Sequence, residues 1–313
     1  MVIEDLFYPS DLIPAAPVKH GYRNFWVRDG YFIGICCGGA VQSRLWNGMT
    51  SILDRYKWKL EIHARKAPVL WYEDIHIRYD ENGMEIPNEH WMHNQVDSHG
   101  NFLEVAVDQR RSDLAELLVD HLDLVKYQKR KAAGVWEDRN SCDSYSIAAC
   151  LYALQKSKRL LEHKYRQIDN MVKRGTKRLY SLLPYATEHR QVCLSQLGTI
   201  FPYNMAGPYR QEIIDIVCAN LKREPFGFIR YHGDSYDGEG FTRGRGTEMP
   251  WLLGDCFMAL IEPENPEWRR RLDRAYEHFG CIPEAYYPEN MKMNRNSPLV
   301  WAESMYRKIR SNG

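Results

Sequence analysis

Gly134-Val135-Trp136-Glu137-Asp138-Arg139-Asn140-Ser141 sets a carboxylic acid beside an indole, on a loop that leads into a helical stretch from Tyr145 to Leu161. A carboxyl held against an aromatic face resists ionisation, because low dielectric disfavours the charged form. A carboxyl kept protonated near neutral pH is what a general acid requires. A lone Trp-Glu pair is equally the content of any amphipathic loop, so the reading gains weight only from other loops with similar chemistry. Hydrolysis of a sugar bond takes two carboxyls, one on each side of it. Glu137 is the candidate acid. Glu284, in Ile282-Pro283-Glu284-Ala285-Tyr286-Tyr287, is the candidate base, with Glu289 and Glu303 as rivals. Glu303 falls within the last helical run, where packing or capping explains it. Glu289, between Pro288 and Asn290, reads as a solvated loop charge.

Other loops carry donor and acceptor pairs. Arg28-Asp29 suits sugar hydroxyls, or is an ion pair at a helix start. Arg230 with Asp234 has the same two readings, and Gln95 and Asp97 either face a ligand or cap the next helix. Several chemistries are excluded. Gly238, Gly240, Gly244 and Gly246 follow no strand, which rules out a dinucleotide fingerprint. Residues 234 to 239 lack the alternating acids and terminal glutamate of a calcium loop. His20, His93 and His232 show no metal-ligand spacing. Neither a metal nor a cofactor is expected.

Bulk properties bound the rest. The 313 residues are 44% hydrophobic, enough for one large core. A formal charge of +1 gives no overall pull toward nucleic acid or a membrane. The basic clusters 126–131 and 269–271 fall on helix faces and read as solvated. The opening MVIEDLFYPSDLIP lacks the basic and apolar regions of a signal peptide, and no apolar run is long enough to span a bilayer. Eight cysteines occur without a C-x-x-C pair, which argues against a zinc ribbon or redox motif and for small core residues in a reducing compartment. A cytoplasmic location follows as the expectation. The chain also has 9 Trp and 20 Tyr, the rings from which sugar platforms and ordinary cores are both made.

The elements that must position these loops are helices. Residues 1 to 21 are Pro-rich and irregular. Asp29 is placed to cap an apolar run from about 30 to 45, and an amphipathic helix follows from about 49 to 66. Helices are expected after Asp97, from Ser112 through the basic stretch ending near 131, over 141–161, 163–182, 188–200 and 209–222, from about Thr247, over 266–279, and after Ser297-Pro298, an N-cap and first-turn proline. Buried-looking helices thus begin near 29, 97, 141, 190, 247 and 297, with more polar helices between them. Each except that near 190 follows a polar, aromatic loop. Hairpins repeated in this way make an open solenoid or a closed double ring. The all-round apolar runs at 30–45 and 248–261 favour the ring, with apolar helices inside. The loops before the inner helices then gather at one end around one pocket.

Taken in order, these loops resemble those of the glucoamylase-type glycoside hydrolases, family 15. Tyr22-x-x-x-Trp26-x-Arg28-Asp29 looks like the family's first loop, whose Arg-Asp pair binds the terminal glucose and whose tyrosine lies near the attacking water. Trp91-x-x-x-Gln95-x-Asp97 is similar to the second, whose tryptophan packs on the sugar. Trp136-Glu137-Asp138 matches a Trp-Glu-Glu in which the first glutamate is the general acid. Arg230-Tyr231-His232-Gly233-Asp234 resembles the arginine loop that grips glucose hydroxyls, and Pro250-Trp251 that region's Pro-Trp. Pro283-Glu284 and Asn296-Ser297-Pro298-Leu299-x-Trp301-Ala302 resemble the closing segment that bears the general base. The resemblance spans most of the chain.

It implies an all-α, single-domain (α/α)6 barrel over residues 1–313. It also implies inverting, exo-acting release of β-glucose from an α-gluco-oligosaccharide of the malto-, isomalto- or trehalose type. The two carboxyls are then expected roughly 6.5–9.5 Å apart, with room for a water. The substrate-binding residues implied are Tyr22, Trp26, Arg28, Asp29, Trp91, Gln95, Asp97, Trp136, Asp138, Arg230, Tyr231 and Asp234. The short segment before Tyr22 leaves the first outer helix missing or supplied by another chain, and a homo-oligomer is compatible with this. Asp138 replaces a usual glutamate, which bears on the subsite beyond the cleavage point. Similar domains also serve as regulatory parts of phosphorylase kinase, so a non-catalytic carbohydrate-binding domain is the alternative function.

Overall fold

The computed structural model describes residues 1–17, 21–68, 73–86, 94–238 and 240–311. Its first α-helix, α1 (Val27–Cys37), ends at Gly38, whose φ of +64° lies in a region glycine enters at low cost. A new helix, α2 (Gly39–Arg55), starts immediately and is followed by α3 (Lys57–His63). The apolar run expected as one helix over 30–45 is therefore two. Asp29 is not its cap: Trp26 occupies the N-cap position and Asp29 lies in the first turn.

The remaining helices are α4 (Val96–Asp108), α5 (Ser112–Leu124), α6 (Ser144–Ser157), α7 (Tyr165–Leu182), α8 (Arg210–Leu221), α9 (Leu253–Ile261), α10 (Pro266–Phe279) and α11 (Val300–Ser311). Local signals set several ends. Asp143 caps α6, its carboxylate accepting from Ser146 N at 2.8 Å. Asn265 caps α10 ahead of Pro266, and left-handed Gly280 closes it. Other boundaries depart from the sequence pattern. The stretch expected as a helix over 188–200 is a 3₁₀ turn at Leu194–Thr199. The helix expected from Thr247 starts only at Leu253, because Trp251 is bridged to Phe228 and Ala285 in extended backbone. The long helix from Ser112 stops at Leu124. Ser297 does not open α11; its Oγ accepts the backbone N–H of Glu284.

α1, α4, α6, the 194–199 turn, α9 and α11 touch one another in a closed cycle, α11 returning to α1. These six elements are the inner ring. α4 is buried without a break from Val96 to Ala106, polar residues included, as expected of a helix covered on all sides. The outer helices are amphipathic: α7 buries only Ile168, Met171, Gly175, Leu179 and Leu182. α2 and α3, α5, α7, α8 and α10 each follow an inner element, which is the hairpin order of an (α/α)6 barrel. Among the described residues no α-helix precedes α1. A 3₁₀ turn at Ile3–Leu6 and an irregular stretch bury Ile3, Leu12, Ile13, Ala15 and Ala16 instead. Ala15 O accepts the backbone N–H of Val300, tying this stretch to the start of α11. No helix among the described residues is long and apolar enough to cross a membrane.

Candidate active site

The loops entering the inner helices are pinned by short pieces of extended backbone. β1 (Phe25–Trp26) pairs antiparallel with β2 (Arg78–Tyr79), which holds Trp26 just ahead of α1. Ala132 and Ser141 exchange two backbone hydrogen bonds of 2.8 Å and close the loop that bears Trp136, Glu137 and Asp138. Phe228, Trp251 and Ala285 form a strip of bridges that aligns the chain near Arg230, Trp251 and Glu284. β3 (Tyr286–Tyr287) and β4 (Lys292–Met293) then fold the segment after Glu284 back toward it.

These loops surround one cavity of about 730 Å³. Its lining includes Tyr22, Trp26, Arg28, Asp29, Trp136, Glu137, Asp138, Arg230, Tyr231 and Glu284, which the sequence had distributed over four loops. Gln95, Asp97 and Asp234 are buried behind this lining. Trp91 lies outside the described residues, as do His20 and His93.

Glu137 has φ of +56°, a left-handed conformation uncommon for a non-glycine residue and concentrated at functional sites. Its Oε1 accepts from Gln95 Nε2 at 2.7 Å and from Arg28 Nη2 at 3.3 Å. Arg28 Nη1 in turn donates to Gln95 Oε1 at 3.0 Å and lies 3.6 Å from Asp97 Oδ2. Gln95 therefore does not cap α4; its side chain is used up between Arg28 and Glu137. Asp29, which lines the same cavity, is pushed up to about 7 by burial, with the charges of Glu137 and Glu284 adding to that and Arg28 opposing it. Burial also raises Asp97.

Glu284, 1% exposed, is raised above its ordinary value by burial, against the lowering effect of hydrogen bonds from its neighbours. Tyr236 Oη donates to its Oε2 at 2.9 Å, and Asn294 Nδ2 donates to the same oxygen. The rivals lie elsewhere. Glu289 is ion-paired with Arg243 on the surface, and Glu303 in α11 accepts from Ile282 N.

Arg230 is held by Asp234 through two hydrogen bonds of 2.6 Å. The rings of Trp136, Tyr236 and Trp251 surround its guanidinium at 4.7–5.2 Å. A bidentate carboxylate and aromatic walls fix the fork so that its orientation costs little entropy on binding.

Sequence reasoning missed Arg190, Tyr236 and Asn294, and named Asn296 only as part of the closing segment. Arg190 belongs to the loop near 190 that was read as poor in chemistry. It lies 3.5 Å over the ring of Tyr231 and donates to both oxygens of Asp138, at 2.9 and 3.4 Å. No motif flags it, because its partners are remote in sequence. Tyr236 could have been suspected as the aromatic residue two places after Asp234.

One polar cluster lies outside the cavity. His99 Nε2 is 2.9 Å and His121 Nε2 3.5 Å from Asp74 Oδ1, and Arg130 Nη2 is 3.2 Å from Asp74 Oδ2. These three ligand-type side chains are close enough to share a cation. The arginine already neutralises the carboxylate, so the arrangement reads as a buried ion-paired network. Burial alone would raise Asp74, but His99, His121 and Arg130 outweigh it and hold it well below its usual range.

No protein-family model matches the chain, and no curated protein sequence matches it. Solved structures do. A glycosidase in its wild-type form superposes with a TM-score of 0.79 at 17% identity, covering 99% of this chain and 93% of that one. The glucoamylase of Saccharomycopsis fibuligera superposes at 0.71 with 9% identity, covering 98% of this chain and 92% of its own. The chain has the glucoamylase fold. A bacterial glucoamylase complexed with acarbose also matches, at 0.71 and 15% identity over 93% of this chain, which spans 49% of that larger protein. A glutamate-to-alanine variant of the glycosidase, in complex with glucose, gives 0.80 at 16% identity. On this glucoamylase fold, the cavity lies where the loops before the inner helices converge.

Proposed function

We propose that the chain is an exo-acting α-glucoside hydrolase that inverts the anomeric carbon and releases β-glucose from the non-reducing end of an α-gluco-oligosaccharide. The observation that carries this reading is that Glu137 and Glu284 line one cavity, together with Arg28, Asp29, Arg230 and a wall of indoles. The names of the structural neighbours, glycosidases and glucoamylases with glucose or acarbose bound, support the same substrate class.

In this mechanism Arg28, Asp29 and Arg230 fix the hydroxyls of the terminal glucosyl unit, and Trp26 and Trp136 wall it. Glu137 gives its proton to the glycosidic oxygen as the bond from that oxygen to C1 breaks. Glu284 takes a proton from a water on the opposite face, and the water oxygen forms the new bond to C1. Burial makes Glu284 a stronger proton acceptor than a solvated glutamate. Asp138 and Arg190 meet the leaving group.

The test is Glu137→Gln and Glu284→Gln, each assayed on maltose, isomaltose and trehalose with proton NMR of the first glucose released. The wild type is expected to give β-glucose from at least one of them. Each variant should lose about 10²-fold or more in turnover while still binding acarbose. Retained turnover in either variant removes that residue from the mechanism, and α-glucose as first product overturns inversion. A wild type that binds acarbose and cleaves nothing is a sugar-binding domain.

A further inference from the structure

Two side-chain donors grip the same oxygen of Glu284. Tyr236 Oη and Asn294 Nδ2 both donate to Oε2. Neither donor reaches Oε1; Tyr22 also hydrogen-bonds to the carboxylate, and Glu284 lines the cavity. The proton directions behind this grip are determined by the network. The backbone N–H of Glu284 donates to Ser297 Oγ at 3.0 Å, so the serine hydroxyl is free to donate to Asn294 Oδ1 at 2.7 Å. With its oxygen so occupied, the Asn294 amide must turn its N–H toward Glu284. Asn296 Nδ2 donates to Tyr236 Oη at 2.7 Å and to Gly238 O at 3.1 Å. Tyr22 Oη lies 3.3 Å from Tyr236 Oη. With Asn296 donating to its oxygen, Tyr236 has one proton to give, and the carboxylate, which can only accept, receives it. Asn294 and Asn296 are 3% and 4% exposed, so no exposed-surface pairing accounts for them.

We infer that Tyr236, Asn294 and Asn296 form a clamp that holds Glu284 through Oε2 and presents Oε1 to the cavity as its proton-accepting atom. The function of the clamp rests on the reading of Glu284 as the general base. The three are positioning residues: they act on the water only through the carboxylate. The clamp has a second effect. Two donors on one oxygen favour the charged form and oppose the burial that disfavours it, so a buried carboxylate stays ionised at the pH where it must accept a proton.

The experiment uses the full chain and two variants, Tyr236→Phe and Asn294→Ala. Tyr236→Phe keeps the ring that packs against Trp251 and Arg230 and removes only the hydroxyl. The Glu284 carboxyl is titrated by carbon-13 NMR in glutamate-labelled protein, its signal assigned by its loss in Glu284→Gln. Each variant is expected to raise its midpoint by about one pH unit. In parallel, the acid limb of kcat/KM should move up by the same amount, and kcat should fall about 10- to 100-fold with KM within a few-fold. A Glu284 midpoint unchanged in both variants overturns the clamp. If either variant fails to fold, the other decides. Glu284→Gln with retained turnover instead sinks the base assignment, and the NMR titration still reports whether the clamp exists.

Discussion

Gln95 Nε2 donates to Glu137 Oε1 at 2.7 Å, and the same side chain takes a hydrogen bond from Arg28 on its own oxygen. One neutral amide thereby links the candidate acid to Arg28. On the proposed mechanism Gln95→Leu removes a 2.7 Å donor that orients Glu137. Turnover should fall about 10- to 100-fold, the cost of a misplaced acid, with KM changed less. Steady-state kinetics of the variant checks this, and unchanged kcat would mean that Gln95 does not position the acid.

Asp29 links stability to pH at the same site. Its folded pKa of about 7, against an ordinary 3.8, is raised first by burial. The neutral form is thus the one the fold prefers. A raised carboxylate stabilises fully below the unfolded value and loses that contribution as pH rises through the folded value, so the penalty grows from about pH 4 to about pH 7. Asp29→Asn cannot ionise and escapes it. The variant should gain on the wild type by on the order of 2–4 kcal/mol across that interval and then hold a constant lead. Urea unfolding at pH 4, 5.5, 7 and 8 reads the difference. A gap independent of pH would show that Asp29 is ionised throughout. On the proposed mechanism the variant should also bind acarbose more weakly, since it loses an acceptor for a glucosyl hydroxyl.

Arg190 lies on Tyr231 and holds Asp138 at the same cavity. Its guanidinium is the cation that neutralises Asp138, whose carboxylate would otherwise add to a site already rich in acids. Arg190→Met keeps the stem but frees Asp138 and uncovers the ring. If these residues meet the leaving group, KM for a disaccharide should rise several-fold while competitive inhibition by glucose, which occupies the glucosyl site alone, stays the same. A parallel loss of glucose affinity would move the pair into the glucosyl site.

The ring and many of the residues that line its cavity were legible in the sequence, because both depend on local patterns. Apolar helices spaced by amphipathic ones give the hairpin order, and a Trp-Glu or Arg-Asp pair is visible as neighbouring letters. What escaped depends on tertiary pairing. The 188–200 stretch has enough apolar residues for a helix, yet Leu194 N donates to Arg230 O, and the chain follows that contact into a 3₁₀ turn. Its hairpin delivers Arg190, whose importance lies entirely in Asp138 and Tyr231. The 30–45 run looks like one helix because composition does not report the positive φ at Gly38. Nothing local marks Asn294 as a partner of Glu284; the β3–β4 turn brings it there.

The distance between the Gln95 loop and the Glu137 loop is itself set by how closely α4 approaches α6. Gly100 is the point of approach: a Cβ built there would lie 2.9 Å from Ala149 C and from Cys150 N, both backbone atoms. Cys150 Sγ meets Val96 O across the same seam at 3.3 Å. Gly100→Ala gains roughly 1 kcal/mol of helix propensity. It must also push two backbones apart, because neither atom can rotate away, and overpacking of this kind costs roughly 1–3 kcal/mol. The second effect should win, with a net loss of stability in urea unfolding. The displaced α4 should also carry Gln95 away from Glu137, so turnover falls in a protein that is still folded. A variant with full activity and unchanged stability would mean that α4 and α6 slide past one another without altering the loops they carry.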